Sequence, residues 1–396
     1  MPTKRSVSDM DVEGRTVLVR VDYNVTFRPD TTEISDDSRI RATLPTLELL
    51  KSRNAKIVLC SHLGRPKGRV IEELRMKPVA VRLANLLKQD VISTRDCVGS
   101  EVSDLVSLAP QNSVVMLENL RFHPGEENNE PEFAEELAAL ADVYVNDAFG
   151  TAHRAHASTF GITQHLDSAV GLLMERELHM LGKALENPAR PFSVALGGAK
   201  VSDKIRMIEH LADKVDTFLI GGGMASAFLA TQGLTVGASR IEDAGLKHAR
   251  NVTRMSKERG FNLIIPSDVV IADRFKRDAS SKTVISSNIC EPWLIMDIGD
   301  ETARRYGNEL QRSNTIFWNG PMGVFEWESF SKGTTSVARS VARAAGTSII
   351  GGGSTADAVY TLGLEKEMSH VSTGGGASLE YLEGRDLPGV SAIQDA

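Results

Sequence analysis

At 396 residues, 41% of them hydrophobic and 24% charged, the chain is too long for one comfortable core and predicts two globular domains that need no staples. Its formal net charge of −7 excludes a global basic field for nucleic acid, so anionic ligands have to be held by local clusters. The cysteines Cys60, Cys97 and Cys290 lie far apart with no CxxC pair, which excludes a disulfide framework and a cysteine zinc site and suits a reducing compartment.

The first fourteen residues are polar and lack an apolar signal region, and no apolar run reaches membrane-spanning length; a cytoplasmic protein with no membrane partner is expected. Short β-branched runs at 16–25, 56–61, 90–93, 113–117 and 142–146 predict strands, separated by amphipathic helical stretches at 38–51, 77–88 and 131–141. The ends of these strands carry charge. Val21 leads to Asp22-Tyr23-Asn24, Cys60 to Ser61-His62-Leu63-Gly64-Arg65, Leu117 to Glu118-Asn119-Leu120-Arg121, and Asn146-Asp147 to His153-Arg154. In parallel sheets covered by helices, functional loops gather at the carboxyl ends of strands, so Arg39, His62, Arg65, Arg121 and Arg154 are expected to converge. Arginine suits an anion site because its planar fork grips phosphate or carboxylate bidentately. A core or capping role remains an equal alternative for His62, and His123, His153 and His156 read as structural.

A helix over 172–185 closes this half, ended by Asn187-Pro188 and Arg190-Pro191. The boundaries that follow are a first lobe over 1–170, an interdomain helix over 171–186 and a second lobe over 187–378, each lobe a doubly wound parallel-sheet (Rossmann-like) α/β fold. Strands are predicted in the second lobe at 191–196, 217–220, 262–265, 315–318 and 347–350, with helices at 202–214, 242–259, 300–312 and 334–345. Here the strand ends are rich in glycine: Gly197-Gly198-Ala199-Lys200, Gly221-Gly222-Gly223, Asn319-Gly320-Pro321, Gly351-Gly352-Gly353-Ser354-Thr355 and Gly374-Gly375-Gly376. A glycine turn opening a helix offers unpaired N–H groups at the positive end of the helix dipole, a place for phosphate oxygens. Any one such loop is more often only a tight turn; five on one sheet edge point to an anion site. Lys200 and Lys204, four apart, are expected to project from one face of a helix start. There is no GxxxxGK[ST], and the loose pattern at Gly351-x-Gly353-x-x-Ala356 lacks the acidic residue a dinucleotide site requires, so a mononucleotide site is the better reading. No GxSxG, HExxH or spaced metal cage supports a hydrolase or zinc enzyme.

Seven blocks of the chain resemble the phosphoglycerate kinase family. They are Val19-Arg20-Val21-Asp22-Tyr23-Asn24-Val25, Ser61-His62-Leu63-Gly64-Arg65-Pro66, Leu117-Glu118-Asn119-Leu120-Arg121-Phe122, Asn146-Asp147-Ala148-Phe149, the run from Gly197 to Lys204, the run from Trp318 to Glu326, and the run from Thr373 to Glu380. The resemblance implies reversible, Mg-ATP-dependent phosphoryl transfer between 3-phosphoglycerate and 1,3-bisphosphoglycerate in glycolysis, in a cleft closed by domain movement, with the tail 379–396 returning to the first lobe. It implies that Asp22, Tyr23, Asn24, Arg39, His62, Leu63, Gly64, Arg65, Arg121 and Arg154 bind the phosphoglycerate. It assigns the nucleotide to Lys200, Lys204, Gly221, Gly222, Gly223, Asn319, Pro321, Val324, Glu326, Gly352, Gly353, Ser354 and Thr355. Arg39, Lys200, Lys204, Gly352 and Gly375 then act on the transferred group. Magnesium bound with ATP or ADP is the implied cofactor, and a monomer is the implied state.

Two positions depart from the family pattern. An aspartate usually follows the Gly351–Gly353 triplet and holds the magnesium; this chain has Ser354, with Asp357 one helical turn on, so the ligand is Asp357 or Ser354. Tyr23 and Val25-Thr26 stand where Phe and Pro are commoner. The acceptor is a carboxylate ionised at neutral pH, so no general base is needed and catalysis rests on alignment and charge neutralisation. Two other readings stay open. A kinase acting on a different carboxylate is told apart by its acceptor, because the Arg65, Arg121 and Arg154 cluster demands a second phosphate. A non-catalytic nucleotide-binding protein is told apart by a coupled assay.

Overall fold

The β-branched runs form buried parallel strands in a computed structural model, which describes residues 3–396. The chain divides into two units, one running up to His179 and taking in Asp386–Ala396, the other Met180–Arg385; the division falls inside the helix Leu172–Glu186.

The first unit holds β1 (Thr16–Val21), β2 (Lys56–Cys60), β3 (Val91–Ser93), β4 (Val114–Met116), β5 (Val143–Asp147) and β6 (Ser168–Val170), in the sheet order β3-β4-β2-β1-β5-β6. Every pairing is parallel. Val17, Val19 and Val21 of β1 pack against Ile40, Leu47 and Leu50 of the helix Ser38–Ser52 in a continuous apolar core. β1 stops at Val21, four residues before its predicted end. Beyond it the Tyr23 N–H donates to Ser61 Oγ and the Asn24 N–H to Asp22 Oδ1, so the backbone leaves the ladder to build a loop. Asp147, at the end of β5, caps the helix Leu172–Glu186 by accepting the N–H groups of Leu173 and Met174 at 2.9 and 3.1 Å. A Cβ at Gly171 would collide with that carboxylate, which is why a glycine precedes the helix.

The second unit holds β7 (Phe192–Leu196), β8 (Thr217–Ile220), β9 (Asn262–Ile264), β10 (Asp268–Ala272), β11 (Ser281–Ile285), β12 (Leu294–Ile298), β13 (Thr315–Asn319), β14 (Thr347–Gly351) and β15 (His370–Val371). Six of these form a parallel sheet in the order β15-β14-β13-β7-β8-β9. Ala195, Ile316, Trp318 and Ile350 share its core with Tyr306, Leu310 and Val337 of the covering helices. The remaining three make a separate antiparallel sheet, β11-β10-β12, that the strand pattern does not announce. Its β11 is largely exposed and polar, SKTVI, so no alternation or apolar run marks it.

Candidate active site

In the first sheet β4, β2, β1 and β5 are consecutive neighbours, so the loops after them lie side by side and bring the charged residues together. Arg39, near the start of its helix, donates from Nη1 to Asp22 Oδ2. Asn24 Oδ1 accepts the Gly64 N–H at 2.8 Å, and Arg121 Nη1 donates to the Gly64 carbonyl at 2.9 Å. Arg121 also faces Glu127 across 3.2 Å, and burial pushes its pKa down. Arg154 is half-buried. Arg65 is exposed and, among the described residues, has no hydrogen bond or ion pair. Tyr23 and Leu63 contribute backbone only: the Tyr23 phenol is buried against Thr43 Oγ1 at 2.6 Å, and Leu63 lies in the core.

His62 reports the electrostatics. It is 4% exposed, and its pKa lies well below the usual histidine value because of burial and then the charges of Arg20, Arg121, Arg39 and Arg154. Its Nδ1 stands 3.3 Å from Arg20 Nη2; arginine only donates, so Nδ1 accepts and the proton sits on Nε2. Arg20 is itself fully buried, with Nε on Ser158 Oγ at 2.8 Å and Nη2 3.9 Å from Glu126 Oε1. Ser158 closes the network by donating N–H and Oγ–H to Glu126 at 3.0 and 2.7 Å. Sequence patterns alone do not single out Arg20, Glu126 and Ser158 as site residues. The available signal is a charge inside the otherwise apolar strand Val17-Leu18-Val19-Arg20-Val21.

A second brace is Asn119, fully buried. Its Oδ1 accepts the N–H groups of Leu63 and Arg121, and its Nδ2 donates to the carbonyls of Leu63 and Leu74 at 2.8 and 2.9 Å. One amide therefore ties the His62–Arg65 loop to the Arg121 loop.

In the second unit the consecutive strands β15, β14, β13, β7 and β8 align all five glycine loops. Several of the loop N–H groups are already used. Gly197 donates to the Asn319 carbonyl at 3.0 Å, Gly198 to Pro321 at 3.1 Å, Gly221 to Leu196 at 2.7 Å and Gly222 to Met322 at 2.8 Å. A Cβ at Gly197 would strike the Pro321 carbonyl oxygen. These glycines let strand ends pack backbone to backbone, and the expectation of open donors fails at them. The open donors stand at the helix Gly353–Thr361, where the N–H groups of Gly353, Ser354 and Thr355 have no intrahelical acceptor and Gly352 caps the helix at φ +87°. The hydroxyl of Thr355 accepts the Gly320 N–H at 2.7 Å, fixing this loop to the next. Gly375, at φ +52°, caps the helix Gly376–Leu382.

The two lysines separate. The helix begins at Ile205, three residues after its predicted start, so Lys200 and Lys204 lie in the turn before it and do not share a helical face. Lys200 is exposed and pairs with Glu242 at 2.8 Å. Lys204 is half-buried and donates from Nζ to Asn319 Oδ1; burial pulls its pKa down. Asn319 Nδ2 is buried without a hydrogen-bond partner, 2.8 Å from where a Gly352 Cβ would stand. An unspent donor and a cation thus meet beside the helix start. Val324 packs with Ala272, Met296 and Phe330, Pro321 is half-buried and Glu326 is exposed.

Ser354 and Asp357 are exposed in the same helix and offer hard oxygen donors. Among the described residues no cluster of three metal-ligating side chains forms at this loop. One or two oxygen donors fit magnesium that is carried mainly by nucleotide phosphates and water. No helix among the described residues is long and apolar enough to cross a membrane.

The family model described as phosphoglycerate kinase matches residues 7–385. The chain is 49% identical over 392 residues to the phosphoglycerate kinase of Moorella thermoacetica, covering 99% of both chains, and 50% identical over 402 residues to that of Gloeothece citriformis, covering 100% of both. Among solved structures, the phosphoglycerate kinase of Coxiella burnetii superimposes with a TM-score of 0.88 at 37% identity, and that of Pyrococcus horikoshii with 0.86 at 31%, each over 98% of both chains. With its doubly wound parallel sheets and these full-length relatives, the chain belongs to the phosphoglycerate kinase family.

Proposed function

We propose that the protein catalyses reversible phosphoryl transfer between Mg-ATP and the carboxylate of 3-phosphoglycerate, giving ADP and 1,3-bisphosphoglycerate. The observation that carries this reading is the convergence of Arg20, Arg39, Arg121 and Arg154 on His62 in a chain of net charge −7. Glu126, Asp22 and Glu127 offset part of this charge, Arg65 adds to it, and an acceptor with both a carboxylate and a phosphate suits the cluster.

In this reading Asp22, Asn24 and Arg39 hold the glycerate end, while His62, Arg65, Arg121 and Arg154 hold its phosphate. His62, kept neutral, donates from Nε2. Lys204 and Asn319 grip the transferred phosphoryl group. The N–H groups of Gly353, Ser354 and Thr355 receive nucleotide phosphate oxygens, and Lys200 exchanges Glu242 for phosphate. Gly221–Gly223, Pro321 and Val324 take the adenine, and Glu326 the ribose. Asp357 or Ser354 would hold the magnesium, which would neutralise phosphate charge on the nucleotide. The acceptor carboxylate is already ionised, so the residues supply alignment and counter-charge for the equatorial oxygens and move no proton. We further infer that the protein acts as a cytoplasmic monomer.

A coupled assay with 3-phosphoglycerate, ATP and magnesium tests the function. ADP release that depends on 3-phosphoglycerate, and is absent with acetate as acceptor, supports it; no turnover sinks it.

A further inference from the structure

Spacing in the sequence shows no metal motif, yet among the described residues one cluster of soft and hard ligands forms in space. Asp96 and Cys97 follow β3, His123 follows β4, and β3 and β4 are neighbours at the sheet edge. One ligand atom from each of Asp96, Cys97 and His123 lies within 4.8 Å of the others. His123 Nε2 is 2.6 Å from Asp96 Oδ1, and the Cys97 N–H donates to the same oxygen at 2.7 Å, which fixes the carboxylate. The Asp96 carbonyl accepts from Thr94 Oγ1 at 2.5 Å, holding the segment from behind. Stacking of His123 on Phe133, ring centroids 5.3 Å apart, holds the imidazole plane. The Cys97 side of the cluster is buried, and Asp96 is 53% exposed, so an ion has an approach from solvent.

We propose that Asp96, Cys97 and His123 form a site for a thiophilic divalent cation of the zinc type. Bonds of about 2.0–2.3 Å at tetrahedral angles place ligand atoms roughly 3.3–3.8 Å apart, so the cluster tightens around Sγ and opens between His123 and Asp96 by about 1 Å. The cation replaces the hydrogen bond between those two. The charges balance, with one carboxylate, one thiolate and one neutral imidazole against two positive charges, and water fills the fourth position. One proton leaves the Cys97 thiol for solvent on binding, so affinity rises with pH. Thiolate with imidazole selects zinc over magnesium, which sets this site apart from the nucleotide's cation. The site stands two residues from Arg121, so occupancy clamps the turn after β4, Leu120–Phe122, that carries that arginine.

Cobalt(II) titration of metal-free protein carrying Cys290→Ser tests it without reference to activity. Expected are a near-ultraviolet thiolate-to-cobalt band and visible bands of tetrahedral strength, saturating at one equivalent and bleached by zinc. Cys97→Ser should abolish the thiolate band, and His123→Gln and Asp96→Asn should each weaken cobalt binding by at least about tenfold, with unchanged circular dichroism. Absence of a thiolate band at saturating cobalt, its persistence in Cys97→Ser, or unchanged affinity in both of the other variants overturns the proposal.

Discussion

Arg39 and Lys204 each hold a neutral or anionic oxygen that a substrate can replace. Arg39 rests on Asp22, and Lys204 on the Asn319 amide in a site where burial already lowers its pKa. Charges held this way meet a forming anion with little reorganisation, so their worth is greatest in the transition state. Arg39→Ala and Lys204→Ala should each lower kcat by about 10²–10³ and weaken substrate binding far less. Steady-state kinetics with both substrates varied checks this, and a kcat within about threefold of the parent, under about 1 kcal/mol, removes the assigned roles. Arg65 differs because it is exposed and, among the described residues, has no hydrogen-bond or ion-pair partner to lose. Arg65→Ala should raise KM for 3-phosphoglycerate by roughly tenfold or more with kcat nearly kept, as expected for one charged hydrogen bond; an unchanged KM takes it out of the site. At this scale the sequence reveals the residues that strand-end position brings together, which are the ones proposed to bind the ligand. It does not reveal Arg20 or Asn119, because their meaning lies in partners 138 and 56 residues away that only the folded sheet delivers.

Elements were legible where one physical signal dominated. The buried parallel strands announce themselves as apolar runs, and β2, β8 and β13 begin where the runs do. The antiparallel β10–β12 sheet did not, because its outer strand has neither apolar content nor alternation. The same sheet contains Asp297, 1% exposed and held by the N–H groups of Gly333 and Ile298 at 2.8 and 2.9 Å. Burial pushes its pKa up to about 7. An unfolded aspartate titrates near ~3.9, so between those values the folded chain keeps a proton that the unfolded chain has released. This contribution to stability is fully present below about pH 4 and is lost as pH rises through about 7. Asp297→Asn cannot ionise and keeps one of the two oxygen acceptors, since Gly333 N–H reaches Oδ2 and Ile298 N–H reaches Oδ1; that lost bond lowers stability by a pH-independent amount. The difference in melting temperature between variant and parent should therefore grow in the variant's favour from pH 5 to pH 8, by calorimetry or circular dichroism. A difference that stays constant over that range contradicts a buried, proton-holding carboxylate.

The chain as a whole ends by completing the unit with which it begins. Leu387, Val390 and Ile393 are 0%, 1% and 2% exposed. The Gly389 N–H donates to the Ala152 carbonyl at 2.8 Å, and Asn146 Nδ2 donates to the Gly389 carbonyl at 3.0 Å. Arg5 N–H pairs with Gln394 and Ala396 N–H with Thr3, while Lys4 Nζ meets Asp395 at 2.8 Å. Burying three aliphatic side chains contributes roughly 5–9 kcal/mol, comparable with the net stability of an entire domain. Two of the hydrogen bonds reach the end of β5 and the loop that carries Arg154, so the tail supports the segment proposed to bind phosphoglycerate as well as a core. Deleting Asp386–Ala396 should therefore destabilise the first unit and leave the second folded. Hydrogen exchange should show lost protection in β1 and β5 with β7 and β13 still protected, and KM for 3-phosphoglycerate should rise more than KM for ATP. Protection of β1 and β5 equal to that of the full chain would mean that the buried tail side chains contribute no net stability. The first unit would then stand on residues 3–179 alone, and the hydrogen bonds at Ala152 and Asn146 would have to be satisfied by water without loosening the loop that carries Arg154.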